Sequence, residues 1–303
     1  MAPVPPPDPP RELPLVRALY SVGRFHIVAI AALAALTFGW AFTGRYLWWA
    51  PAVCALDWFL VNLLNRVVDL REDAANGIEG TEFAARHQGL IRALFALLLS
   101  GSLALSHWLA PALTPWRLGY HVLGLAYNVR LLPGGRRLKE LYLLKNTASD
   151  AGMLITCFGY PLALAGGLGA LRADFSVAGL ACFALFFFLF ELSYEVVYDL
   201  RDVKGDEAEG VKTFAVVHGA AGAGRIASGL MLGSLLVAGG GAAGGLLPAR
   251  LACMAAAPLA QLVLVQRWLA RGVGKRDCVR LTWLGAGLLA LYHGWVALGL
   301  PGS

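Results

Sequence analysis

The chain has 303 residues, of which 58% are hydrophobic and only 15% charged, with a mean hydropathy of +0.64. A soluble domain of this length carries about 25% charged residues, so the composition excludes one and gives an integral, multi-pass membrane protein read as one bundle. The net charge of +6 comes without any basic run interleaved with aromatics, which excludes a nucleic-acid partner and leaves the charge to set topology.

Residues 1–15 open with PVPPPDPP and cannot form a helix, so they read as a disordered cytosolic tail. No cleavable signal peptide is visible, because the first apolar run starts late and lacks a cleavage site. Residues 16–303 read as a single transmembrane domain. Nine apolar segments follow, at 22–43, 46–66, 89–110, 115–132, 144–168, 174–199, 221–242, 247–269 and 279–299. Each is near the ~20 residues that a spanning helix needs. The seventh ends in GGGAAGG, whose small residues suit a close-packed helix face. The five cysteines are scattered without CxxC spacing, so they read as packing residues. The N-terminal tail and the loops after segments two, four, six and eight hold 21 of the 25 basic residues. Arg45, Arg117, Arg172 and Arg250 fall on the other side. The positive-inside rule therefore predicts a cytosolic N-terminus and an external C-terminus in a bacterial inner membrane. The fold class is all-α, a nine-transmembrane-helix bundle with its active-site cavity on the cytosolic side.

Thirteen of the 19 acidic residues fall in two stretches at the ends of apolar segments. Carboxylates are costly near a bilayer, so such clusters mark function. In the first, Asn65, Asp69 and Asp73 recur every four residues; in the second, Glu191, Glu195, Asp199, Asp202 and Asp206 do nearly so. Steps of three and four keep side chains on one helix face. The stretches also echo one another: VDLREDAANGIEGTEFAARHQG over 68–89 and YDLRDVKGDEAEGVKTFAVVHG over 198–219. One isolated DxxxD could be a solvated helix end, but two on the predicted cytosolic side suggest a divalent-metal site between two helices. Mg2+ suits oxygen ligands that face a phosphate, whereas zinc would call for His or Cys.

With NxxxDxxxD on the second segment and DxxDxxxD on the sixth of nine, the chain resembles the UbiA-type intramembrane prenyltransferase superfamily. The run DLRDVKGDEAEGVKTF carries the resemblance furthest. It implies Mg2+-dependent transfer of a prenyl group from a prenyl diphosphate to an aromatic or other lipophilic acceptor, with release of diphosphate. The motif residues carry over as Asn65, Asp69 and Asp73, and as Asp199, Asp202 and Asp206. All six are expected metal ligands, and the five aspartates are expected to be catalytic. One departure is Arg66, where the family often has Asp. Tyr127 and the basic residues after it match a Tyr-then-basic region of the family. Arg130, Lys139 and Lys145, with Lys145 preferred, are therefore candidate diphosphate contacts, beside the alternative that they are topological charge. Arg24 is open in the same way. The run FALFFFLF over 183–190 reads as lipid-facing before it reads as a prenyl tunnel. Asp57 either faces an acceptor cavity or pairs with an arginine, and Asp150 is similar. His87 and His218 read as structural. The expected partners are the prenyl diphosphate, the acceptor and membrane lipids. The competing class is an ion-coupled secondary transporter, which also uses intramembrane carboxylates.

Overall fold

A computed structural model describes residues 14–299, so all but the last two residues of the expected N-terminal tail lie outside the described residues. Its elements are helical throughout. A short helix α1 (Leu15–Gly23), not anticipated from the sequence, precedes α2 (Phe25–Thr43). Arg24 joins them with φ 46°, a left-handed turn that sets the two helices at an angle. Then come α3 (Trp49–Val68), α4 (Leu70–Ala75), α5 (Thr81–Arg86), α6 (Gln88–Leu109) and α7 (Thr114–Asn128). The fifth apolar segment forms α8 (Leu144–Leu154) and α9 (Tyr160–Ala165), joined by one π turn over Ile155–Gly159. The chain ends with α10 (Val177–Ala208), α11 (Phe214–Ala243), α12 (Ala249–Ala252), α13 (Ala256–Leu269) and α14 (Lys275–Ala297).

Among the described residues, seven stretches are long and apolar enough to cross a membrane: α2, α3, α6, α8 through α9, α10, α11, and α12 through α13. The other two expected segments are also helices. However, α7 has only 15 residues, and α14 opens with Lys275, Arg276, Asp277 and Arg280. Helix α6 has a mean hydropathy of 1.8 over its central window yet only 6% of that window is buried. An apolar face left that open belongs against lipid, as an integral, multi-pass protein requires.

Caps and small residues explain the longest pair. Ser176 accepts from the Gly179 amide at the start of α10, and Thr213 accepts from the Val216 amide at the start of α11. Both are side-chain N-caps. Helices α10 and α11 then pack together, with Ser234 Oγ donating to Phe186 O at 3.1 Å and Gly241 against Cys182. A Cβ on Gly241 would lie 2.7 Å from Cys182 Sγ, so within the GGGAAGG end Gly241 packs closely on α10, while Gly239, Gly240 and Gly245 face open space.

Asp57 gathers three partners inside the bundle. Its carboxylate, 0% exposed on α3, takes the Arg117 guanidinium from α7, a hydrogen bond from Tyr160 Oη at 2.6 Å, and a contact with His121 Nε2 at 3.0 Å. Arg117 is therefore a buried partner and not a loop charge. Arg250 behaves likewise: it is 2% exposed, donates to Ala41 O at 2.9 Å and pairs with Asp174. Hydrogen bonding from Arg250 holds the Asp174 carboxyl below its usual range. Two of the four basic residues assigned to the outer side thus serve packing.

Contacts between loops show which helix ends lie together. Arg17 pairs with Glu79 at 2.7 Å, the Gly205 amide donates to Asn76 Oδ1 at 2.8 Å, Arg137 reaches Glu209 at 3.9 Å, and Lys275 bonds Gly77 O. The N-terminal helix and the connections after α4, α7, α10 and α13 therefore meet at one end. At the other end the Arg172 amide bonds Phe42 O at 2.8 Å beside the Arg250–Asp174 pair.

Removing one partner of a buried pair strands the other charge, at a cost of about 3–5 kcal/mol. Asp57→Ala should therefore lower the detergent-phase unfolding free energy by about that much, and Asp57→Asn with Arg117→Gln should recover part of it. A single Asp57→Ala change within about 0.5 kcal/mol of wild type would show that the pair is dispensable.

Candidate active site

The first motif straddles a break in the backbone. Helix α3 ends at Val68, and Asp69 takes φ −101° and ψ 27° before α4 begins. The i−4 bonds continue through it, from Asp69 N to Asn65 O at 2.9 Å and from Asp73 N to Asp69 O at 2.8 Å. The single straight helix face expected over Asn65–Asp73 is thus two short faces that meet at Asp69. The second motif stays on one helix, since α10 runs unbroken to Ala208.

Each motif carboxylate is buried or nearly so, and each has a cation. Asp69 takes Arg137 at 2.8 Å and Lys139 at 2.7 Å, and also accepts from Asn65, which bonds Asn128 at 3.0 Å. Asp73 takes Arg66 at 2.6 Å, with Arg24 at 3.9 Å. Asp199 and Asp206 share the Lys145 ammonium, at 3.0 and 2.8 Å, and Asn146 donates to Asp199 at 2.8 Å. Asp202 takes its neighbour Arg201 at 2.7 Å. Glu72 adds a bond from Lys139 at 2.5 Å. Pairing of this kind is what lets a carboxylate stay in a dry site.

The expected cationic contacts thus divide. Lys139 and Lys145 reach the motif carboxylates. Arg130 is exposed and bonds Gly135 O at 3.2 Å, with Glu140 at 3.5 Å, away from both motifs. Tyr127 lines a cavity of about 650 Å3 that opens beside the motifs, together with Asn65 and Arg66. Further cations face that space: Arg24 and Arg201 from the bundle, and Lys275, Arg276 and Arg280 from α14. A second cavity of about 390 Å3 adjoins the first through Trp58, Tyr194 and Glu195. It is lined by Phe38, Phe186, Phe187, Phe190, Tyr292 and Trp295. The aromatic run at 183–190 therefore turns Phe186, Phe187 and Phe190 inward. Leu185, 50% exposed, is the part that suits lipid. His87 and His218 bond Phe83 O and Tyr142 Oη, which fits their structural reading.

Residues that sequence reasoning missed are the partners. Asn146 and Arg137 hold the motif acids Asp199 and Asp69, and Asn128 accepts from Asn65, all from outside either motif. Asparagines inside apolar helices were the available signal, since such groups need partners in a membrane.

The donor set is carboxylate and amide oxygen throughout, the chemistry that Mg2+ takes. Among the described residues no three His, Cys, Asp or Glu side chains already surround a single ion position; the acids are instead held by arginine and lysine. Asn65, Asp69 and Asp73 on one side, and Asp199, Asp202 and Asp206 on the other, fit the ion by ligand type.

The UbiA prenyltransferase family model matches residues 25–285. The chain belongs to the UbiA prenyltransferase family. That membership removes the secondary transporter as the competing class. The fold is that of solved UbiA structures. A UbiA homologue from Archaeoglobus fulgidus, bound to DMAPP and Mg2+, superposes with a TM-score of 0.69 at 14% identity, over 91% of this chain and 97% of that one. The apo UbiA homologue from Aeropyrum pernix K1 gives 0.62 at 14% identity, over 93% and 98%. A digeranylgeranylglyceryl phosphate synthase gives 0.56 at 13% identity, over 91% and 95%. No curated protein matches the chain by sequence.

The tie between the two UbiA motifs runs through a glycine. A Cβ on Gly205 would sit 2.2 Å from Asn76 Nδ2, in the same contact where the Gly205 amide meets Asn76. Gly205→Ala should push the Asn76 loop off α10 and destabilise the fold by about 1–3 kcal/mol. Thermal unfolding in detergent measures this, and an unchanged midpoint would show that the loop yields without loss.

Proposed function

We propose that this chain transfers a prenyl group from a prenyl diphosphate to an aromatic or other lipophilic acceptor, within the membrane and with Mg2+. The observation that carries the reading is the sequence of environments along α10. Paired aspartates give way to a cation-lined cavity and then to an aromatic one. Binding of DMAPP and Mg2+ by the Archaeoglobus fulgidus homologue supports the same donor chemistry. We also propose nine crossings, with α7 and α14 as the fourth and ninth. The motif end would then be cytosolic, the N-terminus cytosolic and the C-terminus outside, in a bacterial cell membrane, as the basic loops require.

When bound, Mg2+ neutralises a diphosphate and stabilises the charge on it as it leaves. In this reading the six motif residues hold the ion. Arg66 and Arg201, which face the cavity while paired to Asp73 and Asp202, orient the diphosphate oxygens. Lys145 sets the charge between Asp199 and Asp206 and can exchange a carboxylate for a phosphate oxygen. The isoprenoid chain lies among Phe186, Phe187 and Phe190, where ring faces favour the electron-poor allylic carbon and water is excluded.

The test is binding. A non-hydrolysable prenyl diphosphate analogue should raise the unfolding temperature of detergent-solubilised protein only with Mg2+ present. At 100 times Kd the gain is about 2.7 kcal/mol. Asp69→Asn or Asp202→Asn should abolish the shift and remove most prenyl transfer to a lipid extract, read by mass spectrometry. Mg2+-independent binding, or either variant turning over like wild type, would overturn the assignment.

A further inference from the structure

Three carboxyl groups inside the bundle have no arginine or lysine partner among the described residues. Glu195 and Glu191 lie one and two turns before Asp199 on α10, and Asp150 lies opposite them on α8. Asp150 is 0% exposed and neither of its carboxylate oxygens has a hydrogen-bond partner. It lies close enough to Glu191 and Glu195 to feel both charges. Glu191, 6% exposed, faces the aromatic cavity, and no hydrogen bond or ion pair joins its side chain to any described residue. Glu195 lines both cavities at their junction, and Ser149 donates to its Oε1 at 2.7 Å, leaving Oε2 for the cavity. A carboxyl group kept in a dry site without a donor is costly, so these three are incomplete as they stand.

Position along α10 says what the partner is. At 1.5 Å per residue, Glu195 is about 6 Å from Asp199 along the axis and Glu191 about 12 Å. A diphosphate held at the aspartates puts its allylic carbon near the level of Glu195, with the isoprenoid chain beyond. We propose that Glu195 is the proton acceptor of the reaction, and that Glu191 and Asp150 complete a subsite for an acceptor carrying O–H or N–H donors. This rests on the prenyl-transfer reading above. In the step, the C1–O bond of the prenyl diphosphate breaks and its electron pair leaves on the diphosphate. The acceptor's nucleophilic atom supplies the pair for the new bond to C1. The proton that this atom loses passes to Glu195 Oε2. Ser149 holds the other oxygen and so aims the carboxylate, which makes it a positioning residue.

The experiment uses the purified full-length chain with Mg2+, 13C-labelled geranyl diphosphate and a total lipid extract of the producing cells as acceptor source. Labelled products are counted by mass spectrometry, and donor binding is followed by the Mg2+-dependent thermal shift. Glu195→Gln should lower kcat by about 10²–10⁴-fold, with KM for geranyl diphosphate and the thermal shift unchanged. Added formate should restore part of the turnover of Glu195→Ala, which a merely structural role would not allow. Should Glu195→Gln not fold, Ser149→Ala carries the test and should lower kcat about tenfold, the worth of one orienting hydrogen bond. Turnover of Glu195→Gln within about threefold of wild type overturns the assignment alone, as does an unchanged kcat in Ser149→Ala. Loss of donor binding in a folded Glu195→Gln also overturns it, since the residue then belongs to the diphosphate site. No labelled product from wild type overturns the parent reading and this assignment with it.

Discussion

Carboxylates at the edge of a bilayer must be matched by cations or donors, and that requirement shapes one end of this molecule. Asp69, Asp73, Asp199, Asp202 and Asp206 each find an arginine or lysine. The partners come from α3, from the connection after α7, from α8 and from α10, so matching the charges also fixes those segments against one another. Such pairs do little for net stability, because desolvation takes back much of the Coulomb gain. Apolar side chains of the same size would hold the bundle as well. The cluster is therefore best understood through what it can release: an ammonium such as Lys145, shared by two carboxylates, is a cation that a phosphate can compete for.

Helix α10 orders the site. Along one unbroken helix, paired aspartates at 199–206 give way to Glu195 and Glu191, and these to Phe190, Phe187 and Phe186. The gradient from charge to aromatic surface matches a ligand with an ionic head and an apolar tail. The gradient lies on one continuous helix, Val177–Ala208, that packs against α11, so it does not depend on loop conformation.

The sequence carried much of this, and its gaps have physical causes. The length of the apolar runs located all seven stretches that are long and apolar enough to span among the described residues, because a membrane helix must satisfy its backbone internally and cannot be interrupted without leaving a mark. Spacing gave the stripe on α10, but it could not show the break at Asp69, where one residue's φ and ψ divide α3 from α4. Asp57 is the clearest case of ambiguity. A lone acid in an apolar helix reads equally as a ligand or an ion pair until its partner is known, and Arg117 lies 60 residues away. The charge count also could not show that Arg117 and Arg250 are buried partners, since a loop charge and a buried counter-charge look the same in a count. The phenylalanine run was only half legible, because a helix between lipid and a cavity is apolar on both faces.

Arg66 shows how a departure from the family's pattern alters the electrostatics of the site. Where the family often has an acid, this chain has a guanidinium that pairs with Asp73 and faces the cavity. The first motif then holds Asp69, Glu72 and Asp73 against Arg66, Arg137 and Lys139, a neutral set. The second holds three aspartates against Lys145 and Arg201, one negative charge in excess. The larger share of any attraction for a divalent ion therefore sits on α10. The side built by α3 and α4 presents fixed positive charge to a diphosphate. Fixed guanidinium charge needs no ion to be recruited and cannot be titrated away, so in the prenyl-transfer reading we propose the two halves of the site address the same ligand by different means.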